Sequence, residues 1–301
     1  MPELTDRLAG GVWGHLVGDA IGVPYEFTPA NAIERVVFGH RGSHNQPPGT
    51  WSDDGGLMLA LLDSLLNAGF DPDDQGRRAL AWFAGKAYSP GPVFDIGNTT
   101  DAALDRLKHG VPAIEAGGVA ESDNGNGSLM RVLPVALVDR DEEDEVIVSH
   151  AFTASALTHR HPRSQVACAV YCLGASWLLQ DEPPTEALGQ ALESFREMAA
   201  GPWATEFENL QRYTQRSGSG YVFDTFWCAW TALCESQSYA ETIERAVRYG
   251  TDTDTTAAVA GGLAGIYWGY SGIPADWLYR MRGREIVEPL VVKLISSVAS
   301  A

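Results

Sequence analysis

Apolar residues recur at i, i+3, i+4 and i+7 along most of the chain, the spacing of one buried face of an α-helix. The pattern predicts helices over Gly56 to Leu66, Arg77 to Tyr88, Thr99 to Lys108, Glu143 to Leu157, Arg163 to Leu179, Thr185 to Met198, Phe223 to Glu235 and Ile286 to Val298. Strict alternation with β-branched residues is almost absent, the best case being Arg35 to Phe38. The breakers between helices are short, such as Asp71-Pro72-Asp73 and Asp181-Glu182-Pro183-Pro184. No internal repeat and no low-complexity linker divides the chain, so the expected fold is all-α, one compact domain over residues 1–301. One irregular stretch, Phe38 to Trp51, contains Gly39, Gly42, Pro47, Pro48 and Gly49 and has the length of a lid or binding loop.

Glycine spacing adds a tertiary expectation. Gly10, Gly14, Gly18 and Gly22 recur every fourth residue, as do Gly261, Gly265 and Gly269. A helical glycine costs about 1 kcal/mol relative to alanine, so two such ridges imply a compensating close approach of helix backbones. The alternative is that one or both segments are weak helices broken into shorter pieces. The longest apolar run, Ala257 to Ile273, approaches membrane-spanning length, but it is rich in Gly and Ala and directly follows an acidic segment. It reads as a buried helix.

A chain of 301 residues with 45% hydrophobic content can bury a large core. Its formal charge of −18 argues against non-specific binding to nucleic acid or anionic membranes, which need a basic face. Met1 to Gly10 carries Glu3, Asp6 and Arg7 and no apolar signal region, so a cytoplasmic protein is expected. Cys168, Cys172, Cys228 and Cys234 form no Cys-x-x-Cys pair and read as reduced core thiols.

The chemistry concentrates in two acidic clusters at predicted helix starts. Thr251-Asp252-Thr253-Asp254-Thr255-Thr256 precedes the late glycine ridge, and Trp51-Ser52-Asp53-Asp54-Gly55 precedes the helix through Leu57 to Leu66. Helix capping is the ordinary explanation for Ser, Thr and Asp there. A cap needs one such residue, whereas adjacent carboxylates repel unless cations screen them, and an all-oxygen set is what Mg²⁺ or Ca²⁺ requires. An EF-hand is excluded because position six from Asp252 is Ala257 and position twelve is Leu263. Asp71-Pro72-Asp73-Asp74 reads as a helix cap, and His159-Arg160-His161 lacks zinc-site spacing. Glu26 follows the first helix among apolar neighbours, where burial would raise its pKa. Asp95 stands alone before another helix, where capping by Asp95 or Asn98 is an equally good local account. Asp123-Asn124-Gly125-Asn126-Gly127-Ser128 is backbone-rich and leads into Leu129-Met130-Arg131, so its amides could hold phosphate oxygens or form a plain turn. No serine-nucleophile elbow, P-loop or dinucleotide fingerprint is present.

Taken together, these residues resemble the ADP-ribosylglycohydrolase family, which includes dinitrogenase reductase-activating glycohydrolases and ADP-ribosylarginine hydrolases. The resemblance rests on Gly18-Asp19-Ala20-x-Gly22-x-Pro24-x-Glu26, Ser52-Asp53-Asp54, Asp95-Ile96-Gly97-Asn98-Thr99-Thr100, Asn126-Gly127-Ser128-x-Met130-Arg131, Thr158-His159 and Asp252-Thr253-Asp254-Thr255, and covers nearly the whole chain. It implies an orthogonal helix bundle with two Mg²⁺ ions, Mn²⁺ being an alternative, held by Ser52, Asp53, Asp54, Asp252, Asp254 and Thr255. It makes Glu26 and Asp95 the catalytic candidates and implies an ADP-ribose pocket lined by Gly97, Asn98, Asn124, Asn126, Gly127, Ser128, His159 and Tyr221. Two departures stand out: Ser52 replaces the usual threonine, and Gly55 replaces a usual Thr or Ser. Successive glycines at 55 and 56 are expected to loosen that helix start.

The implied reaction is Mg²⁺-dependent release of ADP-ribose from an ADP-ribosylated protein or small adduct, with arginine the favoured acceptor. Cleavage of ADP-ribosyl serine or O-acetyl-ADP-ribose, and non-catalytic ADP-ribose binding, are the alternatives.

Overall fold

Among residues 2–298, which the computed structural model describes, there are helices and no strands. The first seven α-helices are α1 (Leu4–Gly22), α2 (Asp53–Ala68), α3 (Pro72–Phe83), α4 (Asn98–Lys108), α5 (Leu133–Val138), α6 (Asp144–Ala156) and α7 (Pro162–Leu179). They are followed by α8 (Pro184–Met198), α9 (Gly201–Arg212), α10 (Val222–Cys234), α11 (Tyr239–Val247), α12 (Thr253–Trp268), α13 (Ala275–Arg280) and α14 (Arg284–Val298). Every helix predicted from periodicity forms. Four were not predicted: α5, α9, α11 and α13. The α9 start, Gly201-Pro202, reads locally as a break, yet proline in the first turn lacks only an N–H that would be unpaired there anyway.

The boundaries shift for identifiable reasons. Helix α3 begins at Pro72 because Asp71 caps it, accepting from the Asp73 and Asp74 amides at 3.0 and 3.2 Å. It stops at Phe83, short of Tyr88, and Gly85 follows with φ of 68°. The Arg35–Phe38 stretch forms no strand; its backbone is held instead by the Tyr25 hydroxyl, which accepts from the Val37 amide at 2.7 Å.

The two glycine-ridged segments pack antiparallel as α1 and α12. Gly10 faces Gly265, Gly14 faces Gly261, Gly18 faces Ala257 and Gly22 faces Asp254, and a Cβ on any of these α1 glycines would overlap backbone atoms of α12. The ridges therefore mark close approach, not broken helices. Gly269 is the exception: with φ of 76° it lies just past the end of α12. Every residue from Thr253 to Ile266 is buried, as expected of a core helix. Gly55 and Gly56 also correct an expectation. A Cβ on Gly55 would crowd Leu16 and Trp51, and one on Gly56 would overlap Trp82, so the pair tightens the α2 start instead of loosening it.

One apolar core runs from Leu8 to Leu294 and includes the buried thiols Cys168 and Cys172 of α7, which are free. Among the described residues no helix is long and apolar enough to cross a membrane. The Phe38–Trp51 stretch is anchored along its length. Ser43 Oγ donates to the Val23 carbonyl at 3.1 Å, the Gly49 carbonyl accepts from the Arg282 amide at 3.1 Å, and Trp51 Nε1 donates to the Tyr88 carbonyl at 2.9 Å.

Candidate active site

Antiparallel packing of α1 on α12 brings the start of α12 beside the end of α1, where the start of α2 also docks. The two acidic clusters thus meet although about two hundred residues separate them. The Thr255 hydroxyl donates to Asp54 Oδ2 at 3.3 Å, and the Ser52 hydroxyl lies 3.0 Å from the same oxygen. Capping explains part of this arrangement. Ser52 Oγ accepts from the Asp54 amide at 3.3 Å, but Asp252, at the matching position of α12, makes no side-chain cap bond. Asp53, Asp54 and Asp254 are in the first turns of their helices and are 4%, 1% and 0% exposed.

Burial and mutual repulsion push the carboxyls of Asp53, Asp54, Asp252 and Asp254 above their usual range. Asp54 Oδ1 and Asp254 Oδ2 are buried with no hydrogen-bond partner. A buried carboxylate oxygen without a donor is costly. The residues therefore fit a hard divalent cation: all the donors are oxygens, and two of those oxygens lack any protein partner. Carboxylate oxygens of Glu26, Asp252 and Asp254 lie within 4.8 Å of one another, the spacing of a shared ion.

Two further buried carboxylates, both missed as site residues from sequence, hold this arrangement in place. Asp19, 0% exposed in α1, accepts from the Ser52 amide at 2.9 Å and the Gly55 amide at 2.9 Å, pinning the start of α2 to α1. Burial raises its pKa to about 7 despite those bonds. Asp224, 0% exposed in α10, accepts from the amides and hydroxyls of both Ser217 and Ser219. The loop it gathers passes Gly218, whose carbonyl accepts from the Asp252 amide at 2.9 Å, and Gly220, whose carbonyl accepts from the Asn126 amide at 3.0 Å. An aspartate inside the apolar face of α10 was the available sequence signal. For Asp19 it was the same anomaly in α1.

A cleft of about 340 Å³ opens beside the carboxylates, and Glu26, Asp53, Asp252 and Thr255 line it. Asp95, Gly97, Asn98, Gly125, Asn126, Gly127 and His159 also line it. Asp95 does not cap α4: Gly97 occupies the N-cap position and Asn98 is already helical. With φ of 64°, Asp95 adopts a left-handed backbone, a conformation uncommon for a non-glycine residue, and its carboxylate faces the cleft. Glu26 is 6% exposed, and burial, followed by the fields of Asp95 and Asp252, pushes its carboxyl up to about 9. His44, from the Phe38–Trp51 stretch, contacts Glu26 and was not singled out from sequence, because nothing local in an irregular loop marks it.

The predicted ADP-ribose residues divide. Gly97, Asn98, Asn126, Gly127 and His159 line the cleft. Asn126 also ties it to the carboxylates, its Nδ2 donating to Asp252 at 2.8 Å and to Thr225 at 2.9 Å. Burial lowers the His159 pKa to about 3, with Arg131 adding to the effect, so its ring is neutral. Ser128, Asn124 and Tyr221 are not brought to the cleft wall. The Ser128 hydroxyl is buried against Ser155 and Cys168, and the Asn124 side chain bonds Ser164 and the Glu121 carbonyl. Tyr221 packs on Tyr213 and Phe223 beneath Arg163. The segment after Ser128 forms a single 3₁₀ turn, Leu129–Arg131, too short to present a helix terminus to phosphate.

Known proteins share this architecture. An ADP-ribosylarginine hydrolase, Tri1, of Serratia proteamaculans is 30% identical over 97% of this chain and 80% of its own length. The ADP-ribosyl-[dinitrogen reductase] glycohydrolase of Rhodospirillum rubrum is 29% identical over 93% and 92%. A solved structure described as an ADP-ribosylglycohydrolase-related protein complex superposes with a TM-score of 0.82 at 33% identity, covering 98% of this chain and 99% of the other. Residues 1–300 match the ADP-ribosylglycohydrolase family model, and the chain belongs to that family of hydrolases.

Proposed function

We propose that the protein, acting as one domain, hydrolyses the N-glycosidic bond between ADP-ribose and an arginine side chain in a magnesium-dependent reaction. The observation that carries this reading is the meeting of two helix starts, with the unpartnered Asp54 Oδ1 and Asp254 Oδ2, beside a cleft faced by Asp95 and Glu26. Ser52, Asp53, Asp54, Asp252, Asp254 and Thr255 would hold two Mg²⁺, Mn²⁺ serving in their place. Bound there, the ions would orient the ribose hydroxyls and a water and offset the negative field that this acidic protein presents to a diphosphate.

The chain's own groups do the rest. Water adds to the anomeric carbon, the carbon–nitrogen bond breaks, and its electron pair leaves with the guanidine nitrogen. Between them, Asp95 and Glu26 take the proton that the water loses and return it to the departing group. Neutral His159 offers its ring edge to the bound ADP-ribose without adding charge, while Gly97, Asn98, Asn126 and Gly127 line the same cleft. Arginine is favoured as acceptor because Asp95 is aimed into the cleft by its left-handed backbone, where a guanidinium finds a carboxylate. The relatives named for ADP-ribosyl-arginine support the same choice.

Turnover of an ADP-ribosyl-arginine peptide with and without Mg²⁺ tests the reading, alongside ADP-ribosyl serine and O-acetyl-ADP-ribose. Asp252→Ala should abolish turnover and weaken Mg²⁺ binding. Unchanged turnover in that variant would refute the role given to the metal cluster, and faster cleavage of the serine adduct would refute the acceptor.

A further inference from the structure

Two aromatic–carboxylate pairs converge at the rim of the cleft. Glu26-Phe27 comes from the end of the α1 segment and Phe94-Asp95 from the approach to α4. Each pair contains a left-handed non-glycine residue, Phe27 at φ 63° and Asp95 at φ 64°. Such residues are strained by of order 1 kcal/mol and persist only where the surroundings hold them. The Phe27 amide is held by the Thr251 carbonyl at 2.6 Å, and its ring stays 68% exposed, an apolar group kept at the surface beside the site.

Between the two pairs lies His44. Its Nε2 contacts Glu26 Oε2 and lies 3.8 Å from Asp95 Oδ1. The centroid of its ring is 5.7 Å from that of Phe27 and 5.2 Å from that of Phe94. The turn that delivers it is docked: Gly42, at φ 55°, leaves no room for a Cβ against the Pro24 backbone, and the Asn45 amide closes onto the Gly42 carbonyl at 3.2 Å. No residue of 38–51 lines the cleft itself, so this subsite adjoins the cleft at its rim.

A flat ring bearing an N–H, set between two carboxylates and two phenyl rings, meets the same demands as a guanidinium. Both are planar, donate in the plane and pack their faces on aromatic rings. We propose that Glu26, Asp95, Phe27 and Phe94 form the subsite for the acceptor's guanidinium, and that the His44 imidazole is an internal occupant that the acceptor displaces. This inference rests on the arginine reading above. Self-occupancy divides the intrinsic affinity: the apparent dissociation constant rises by the inverse of the fraction of time the subsite is free, so a subsite free about a tenth of the time binds about tenfold more weakly. It also selects: an adduct linked through a serine hydroxyl offers no planar cation to take the place of the imidazole.

The test is calorimetric titration of the Mg²⁺-loaded protein with agmatine as the guanidinium probe and putrescine as a cation without the plane. His44→Ala should bind agmatine about tenfold tighter than the unsubstituted protein, with putrescine unaffected. His44→Gln, which keeps a donor, should remain close to the unsubstituted protein, and Asp95→Asn added to His44→Ala should cancel the gain. In the unsubstituted protein the His44 ring resonances should shift as agmatine is added, a readout that needs no variant to fold. Equal or weaker agmatine binding by His44→Ala overturns the inference, as does loss of a tightly bound divalent ion in that variant. Turnover of the ADP-ribosyl-arginine peptide is measured in parallel. Agmatine gain without turnover defeats only the hydrolase reading, and turnover without agmatine gain defeats only the occupancy.

Discussion

Replacing glycine by alanine at two helical positions should change stability in opposite directions. Gly189 lies exposed in α8 with no atom near its would-be Cβ, so Gly189→Ala should follow helix propensity alone and stabilise by about 1 kcal/mol. Gly22 is the last residue of α1, and a Cβ there would overlap the Asp254 Cα and the Thr253 carbonyl oxygen. These are backbone atoms and cannot rotate away. Overpacking of this kind costs roughly 3 kcal/mol, and the propensity gain of about 1 kcal/mol leaves a net loss of about 2 kcal/mol. For a chain of this size that is a fall in Tm of roughly 3 °C. The backbone that must give way carries Asp254, so Gly22→Ala should also weaken Mg²⁺ binding although no ligand is altered. Urea and thermal unfolding of both variants, with calorimetric Mg²⁺ titration, measure this. If Gly22→Ala stabilises as Gly189→Ala does, α1 and α12 are not in backbone contact and the account of the glycine ridges fails.

Three further outcomes are expected. In EDTA at pH 8, Asp254→Asn should raise Tm, because it removes a buried charge whose folded pKa is raised and which therefore destabilises above its unfolded pKa; in Mg²⁺ the same variant should melt below the unsubstituted protein, and a fall in Tm under both conditions would count against a cation site. Asp224→Ala leaves Ser217 and Ser219 without their acceptor and should cost about 3 kcal/mol in urea unfolding while raising KM more than it lowers kcat; unaltered KM would show that the 217–220 loop does not shape the cleft. His159 has a folded pKa of about 3 against 6.5 unfolded, so the unfolded chain binds the proton first and stability is lost as pH falls below 6.5; between pH 6.5 and 5 this amounts to about 2 kcal/mol, which His159→Gln should remove from the pH dependence of urea unfolding, and identical pH slopes would show the ring is not buried neutral.

Local sequence determined the helices and the two acidic clusters. Periodicity of 3.6 placed α2, α3, α4, α6, α7, α8, α10 and α14, because burial of one face depends on spacing alone, while α1 and α12 were read from glycine spacing and α9 was missed. The clusters were legible because four carboxylates at two helix starts exceed what capping requires, and the glycine ridges were legible because their cost demands a partner. What remained hidden depends on contacts distant in sequence. Asn98 and Asp95 each looked like a cap until the path of the chain made Gly97 the cap and turned Asp95 into the cleft. Ser128, Asn124 and Tyr221 stand beside residues that do line the cleft, and only the direction of each side chain separates them. Gly55 and Gly56 read as a loose helix start, since the Trp51 and Trp82 rings that need their space are not visible in propensity. Asp19, Asp224 and His44 act through partners 5 to 51 residues away, so their roles exist only once α1, α2, α10 and the 38–51 stretch are packed together.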